Sequence, residues 1–176
     1  GVGNTATVFP VGFSNSNYTP VTLTNTTGTS DLSVSVKQSV SNAVSDATKI
    51  VTLEWGIASS AATTATISPT WVYASPVNQA TSFTNTGTGE LGNFTSSYTT
   101  YPVTLSTTTT TATGVALQNG SNLIVVGNTG ALNSPLLAIT GTTVHGSICP
   151  NTAATSQTYT ITNSGRSSAT GVTVVS

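Results

Sequence analysis

Charge is what this sequence has least of: of 176 residues only three are Lys or Arg and four are Asp or Glu. A soluble domain is usually about one quarter charged. Catalysis, metal binding and nucleic-acid binding all work through ionisable side chains, so neither an enzymatic activity nor a cofactor is expected. Lys37, Lys49 and Arg166 are the whole cationic complement. They cannot neutralise a run of phosphates, the main source of affinity for DNA, and nucleic acid is not an expected partner.

Sulfur and long apolar runs are scarce as well. The lone Cys149 has no intramolecular disulfide partner, and methionine is missing even at position 1, which fits removal of a signal peptide and a secreted, cell-surface location. Apolar runs are short, such as Leu123 to Val126, where a spanning helix needs about eighteen residues or more. No membrane span is expected, nor the apolar N-terminal helix of type IV pilins. A net charge of −1 favours association, so the surface is expected to carry sugars, to self-assemble, or both.

What fills the chain instead is threonine, serine and asparagine in alternation with apolar residues, the mark of strands with one buried face. Leu32, Val34 and Val36 alternate with serines; Val51, Leu53, Trp55 and Ile57 share one parity, and Tyr101, Val103 and Leu105 another. Further strands are predicted at Val115–Leu117, Leu123–Val126, Leu136–Ile139, Tyr159–Ile161 and Val172–Val174. Turn residues fall between, with Asn119-Gly120 the best two-residue hairpin and Gly87-Thr88-Gly89 read as a turn. Only Gln38 to Thr48 hints at helix, of one or two turns. The expected fold is all-β, a two-sheet β-sandwich of jelly-roll kind, with an immunoglobulin-like sandwich as the alternative. No composition shift divides the chain, so one sandwich over residues 14–176 is expected behind an extended N-terminal strand, residues 1–13.

Motifs for chemistry are weak. His145 and Cys149 are too few for a zinc site and lack the third group of a nucleophile pair. The carboxylates Asp31, Asp46, Glu54 and Glu90 read as solvated or surface-paired, Glu54 beside Lys49, and no acidic loop suggests calcium. Trp55, Trp71, Tyr73 and Tyr101 would suit a sugar-stacking platform, but their alternating strands point to core or interface. Four Asn-X-Ser/Thr sequons, at Asn17, Asn25, Asn93 and Asn119, are N-glycosylation candidates. The run Thr107 to Thr111 reads as edge strand before O-glycan site.

The N-terminal segment is extended and charge-free, with Phe9, Val11 and Phe13 on one face. It is either the first strand of its own sheet or a strand donated to a neighbouring copy, with Ala6, Val8, Phe9, Val11 and Phe13 as the donor residues. Pro10 cannot donate to a ladder and must sit at an unpaired position. Gly171 to Val175 is the rival donor.

A processed, nearly uncharged, Thr/Ser/Asn-rich sandwich with an apolar N-terminal strand resembles the subunits of archaeal extracellular filaments assembled by donor-strand complementation, the thread and bundling-pilus families, themselves similar to the TasA-type matrix fibre protein. The resemblance implies a jelly-roll subunit whose N-terminal strand fills a groove in the next copy, a head-to-tail homopolymer that bundles with like filaments and carries N-glycans. Locally, Thr158 to Gly165 followed by Ala169 to Val174 is similar to immunoglobulin-like surface modules, where the stretch makes a hairpin within the sandwich. A monomeric adhesion or carbohydrate-binding module and a viral jelly-roll capsid or fibre protein are the competing functions. Few titratable groups also predict a stability that changes little with pH.

Overall fold

The computed structural model describes residues 1–14, 17–72, 78–133, 137–141, 159–163 and 168–173. His145, Cys149 and Tyr73 lie outside the described residues. In chain order the strands are β1 (Thr7–Phe9), β2 (Gly12–Ser14), β3 (Asn17–Tyr18), β4 (Val21–Asn25), β5 (Leu32–Lys37), β6 (Glu54–Ser59), β7 (Thr63–Pro69), β8 (Thr86–Phe94), β9 (Tyr98–Ser106), β10 (Ala112–Leu117), β11 (Gly120–Asn128), β12 (Leu137–Gly141) and β13 (Tyr159–Asn163). Among the described residues the only helical element is one 3₁₀ turn, Ala47–Lys49, capped by Asp46, whose carboxylate accepts from the Thr48 amide at 3.0 Å.

The expected all-β, two-sheet sandwich is the architecture seen. One sheet has the order β1-β4-β7-β10 and the other β5-β6-β11-β8-β9, with each neighbouring pair antiparallel. Alternation decides the facing: Val21 and Leu23 on β4, Ala65 and Ile67 on β7, and Val115 and Leu117 on β10 meet Trp55, Ile57, Leu91, Ile124 and Val126 from the opposite sheet in one buried cluster. β11 also buries its other face. Val125 joins Ile50, Tyr98, Ala131 and Leu132 in a second cluster outside the five-stranded sheet, covered by Val40 and Val44.

Several local expectations change in three dimensions. Asn119-Gly120 is not a hairpin turn: β10 belongs to the four-stranded sheet and β11 to the five-stranded one, so the turn crosses between sheets. It runs beside the β6–β7 crossing, with Leu117 opposite Thr63 and Gly120 opposite Ser59. Gly87 to Gly89 lies within β8 instead of forming a turn. The reason is close approach: a Cβ on Gly89 would stand 2.7 Å from Leu105 Cγ and 2.8 Å from the Gly127 carbonyl. Thr107 and Thr108 make a turn, with Thr107 at φ +40°, so the threonine run is a connection between β9 and β10 and not an edge strand. β4, β7 and β8 escaped the sequence reading, because threonine and other small or polar residues fill much of β4 and β7 and glycines interrupt β8.

Strands β12 and β13 belong to neither of the two large sheets. The two hydrophobic clusters draw on residues from Phe9 to Leu132 and on none from β12 or β13. Those two strands pair with each other in a separate sheet, Ile139 opposite Ile161, and all ten of their residues are exposed. Tyr159–Asn163 therefore pairs with Leu137–Gly141 and not with the stretch after residue 168, which carries no strand among its described residues.

Candidate functional site

A sandwich has two open sides, where the edges of its sheets face each other, and here the two are closed by different means. On one side stand β9 and β10. Successive residues of a strand turn their backbone groups to alternate sides. On the outward side of β9, Pro102 has no N–H, the Thr104 carbonyl accepts from Thr110 Oγ1 at 2.8 Å, and the Ser106 amide is bonded to the Thr109 carbonyl at 2.9 Å. On β10 the Ala116 amide donates to Tyr101 Oη at 3.0 Å and its carbonyl accepts from Asn93 Nδ2 at 2.8 Å. Proline and side-chain bonds thus blunt both edges against strand addition.

The other side, between β4 and β5, is closed by the N-terminal segment. β1 pairs antiparallel with β4 through Thr7 with Leu23, Val8 with Thr22 and Phe9 with Val21. Pro10 interrupts the ladder, as its missing N–H requires, and pairing resumes with the Thr19 amide donating to the Val11 carbonyl at 3.0 Å. Phe9, Val11 and Phe13 then pack on the main core together with Leu32, Val34 and Val36 of β5. In this chain the predicted donor segment is therefore the first strand of its own sheet. Of the five donor residues, Phe9, Val11 and Phe13 are partly buried, Ala6 is exposed, and Val8 is 56 % exposed. Burial of the three inward side chains contributes at most roughly 5 to 9 kcal/mol, an upper bound because none is fully covered. Of the rival donor, Gly171, Val172 and Thr173 are exposed, and Val174 and Val175 lie outside the described residues.

The aromatic candidates separate cleanly. Trp55 and Trp71 are core residues: Trp55 donates Nε1 to the Thr19 carbonyl at 2.9 Å, and Trp71 packs edge-on against Phe83 at 5.9 Å. Tyr101 is committed to capping β10. Trp55, Trp71 and Tyr101 do not form a sugar platform.

Two carboxylates also depart from expectation. Glu54 is buried, not solvated, and pairs with Lys37 at 3.0 Å where Lys49 was expected; Lys49 pairs with Asp46 at 3.0 Å. The Thr48 hydroxyl and the Lys49 ammonium hold the Asp46 carboxyl below the usual carboxylate range. Glu90 is buried too and accepts from the Leu132 amide at 2.6 Å. Asp31 stays exposed, as expected.

The sequons fall into two classes. Asn25 and Asn93 are buried: Asn25 Oδ1 accepts from the Thr27 amide at 3.2 Å and from Thr63 Oγ1 at 2.5 Å, while Asn93 Nδ2 bonds the Ala116 carbonyl and, at 3.1 Å, Asn122 Oδ1. Both side chains are enclosed by this packing, which leaves no room for a glycan on either Nδ2 in the folded chain. Asn119 is exposed on its turn, and Asn17 is half-buried with Nδ2 on Ser14 Oγ at 2.7 Å. Glycopeptide mass spectrometry of native material is expected to find sugar on Asn119, less on Asn17, and none on Asn25 or Asn93; occupancy at Asn93 in folded protein would contradict the packing.

Compared with known protein families, curated proteins and solved structures, the chain matches none.

Proposed function

We propose that this chain is a non-enzymatic structural subunit of an extracellular filament, and that copies join by exchanging the N-terminal segment. The observation that carries the reading is the asymmetry of the two open sides. One is blunted by Pro102 and by bonds to the Thr104, Ser106 and Ala116 backbone, whereas the other is closed by residues 1–13 through a ladder of three residue pairs, a Val2–Ser30 bridge, bonds to the Gly3 and Val11 carbonyls, and three apolar plugs. The same plug fits the same socket in a second copy, so exchange regenerates every contact and its net cost lies in opening the β1–β4 hairpin. When each copy gives its segment to one neighbour and receives from another, the contact is heterologous and does not close, so it propagates. The charge-poor surface supports the reading, since little repulsion opposes lateral bundling. Sugars on exposed asparagines would keep such fibres in solution.

The test is a disulfide trap. With Cys149→Ser to remove the native thiol, Val8→Cys and Thr22→Cys place two thiols on directly opposed residues. Material assembled at high concentration and then oxidised is expected to run as a ladder of covalently joined chains on a non-reducing denaturing gel. Assemblies that release only single, internally bridged chains would show that the segment stays at home and would refute exchange; so would a wild-type chain that remains monomeric at every concentration.

A further inference from the structure

The two buried carboxylates have a task in common. Burying a charge is unfavourable unless it is well bonded, and a sequence with four carboxylates has placed two of them inside. Glu54 takes the Ser41 amide on Oε2 at 2.8 Å and the Ser41 hydroxyl on Oε1 at 2.8 Å, with the Lys37 ammonium bonded to both Glu54 and Ser41. Glu90 takes the Leu132 amide. Each therefore pins one loop over the outer face of the five-stranded sheet: Glu54 the loop that follows β5, Glu90 the loop that follows β11. These two loops and the β8–β9 turn enclose a cleft of about 280 Å³.

The lining of that cleft carries no charge. Asn42 comes from the first loop, Asn133 from the second, and Phe94, Ser96 and Ser97 from the β8–β9 turn. Asn133 is held in place by donating Nδ2 to the Tyr98 carbonyl at 3.0 Å, and its Oδ1 makes no bond to other described residues. Phe94 is fixed by an edge-on contact with Tyr98, ring centres 5.1 Å apart, and is only partly covered. The Asn42 side-chain amide and the Ser96 and Ser97 hydroxyls make no bond to other described residues.

We infer that this cleft binds a neutral saccharide, one sugar ring seated on Phe94. Its volume lies just below the roughly 300–1,000 Å³ of pockets for drug-sized ligands and suits a single pyranose. A sugar hydroxyl both donates and accepts, and amides and serine hydroxyls do the same, so the two sets match without any charge. The weakly polar C–H face of a pyranose then covers an aromatic ring that water solvates poorly. An acidic sugar would meet no cation in the lining, and an extended peptide would want an open strand edge, which the cleft does not offer. The inference rests on this cleft alone and does not depend on strand exchange.

The experiment is a titration of the intact, isotope-labelled chain with glucose, galactose, mannose and N-acetylglucosamine, and separately with glucuronic acid, followed by amide chemical shifts. At least one neutral sugar is expected to give saturable shifts, with millimolar affinity, confined to residues 41–43, 94–98 and 133. Phe94→Leu and Asn42→Ala, whose unchanged spectra elsewhere show that they fold, are each expected to weaken binding by about tenfold or more. No saturable shift with any neutral sugar, a response to glucuronic acid alone, or binding untouched by both substitutions would overturn the proposal.

Discussion

Replacing Trp55 by alanine is expected to lower the unfolding free energy by about 4 kcal/mol, the typical loss for a fully buried large aromatic. The residue has no exposed surface and belongs to the main cluster with Val21, Leu23, Ile57 and Ile124. Its indole N–H is also the bonded partner of the buried Thr19 carbonyl, at 2.9 Å, and that acceptor would be left without its donor. Domains of this size are stabilised by about 5–15 kcal/mol in total, so the variant should unfold at a much lower urea concentration. Trp55→Phe separates the two contributions: it keeps most of the bulk and should lose about 1–3 kcal/mol, chiefly for the orphaned carbonyl. A wild-type-like midpoint for Trp55→Ala would mean that the cluster can collapse around the gap, against the packing described.

The second large effect is expected at Asn122. This side chain is wholly buried, accepts from the Gln118 amide at 2.9 Å and from Asn93 Nδ2 at 3.1 Å, and donates to the carbonyls of Ile57 at 3.3 Å, Gln118 at 3.0 Å and Gly120 at 3.2 Å. It ties the crossing turn between the sheets to β6 and β8. Asn122→Ala removes the buried partner of the Asn93 amide and of the Ile57 carbonyl, at about 1–3 kcal/mol each, so a loss of about 3 kcal/mol is expected. Urea unfolding measures it, and faster amide exchange at Gln118 and Gly120 should accompany it. An Asn122→Ala chain as stable as wild type would show that water satisfies the turn, and the side chain would then not be what holds the crossing.

The alternation of apolar and polar residues was enough to foresee β5, β6, β9, β10 and β11, because the two-residue period of a strand is a local property that any single strand displays. It could not assign partners. The Asn119-Gly120 turn has the residues of a hairpin, and only the pairing of Leu117 with Thr63 and of Gly120 with Ser59 shows that it crosses between sheets. β7 was missed because threonine, serine and alanine fill five of its seven positions. Buried Asn25 and Asn93 satisfy the same tripeptide rule as exposed Asn119; what distinguishes them is their bonds to residues 38 and 23 positions away. The outer cleft was invisible for a similar reason, since its walls come from three separate turns, two of them held by carboxylates that look solvated in sequence.

The sequence by itself determined that the chain forms strands, which side chains each strand turns inward, and that hardly any surface charge opposes close contact between copies. Those properties follow from residue type and from spacing along one backbone. Only the tertiary structure decided which edges are sealed, which asparagines are buried, where the N-terminal plug sits and what Glu54 and Glu90 hold. Each of these depends on groups far apart in the chain arriving within bonding distance, and no local pattern encodes that meeting.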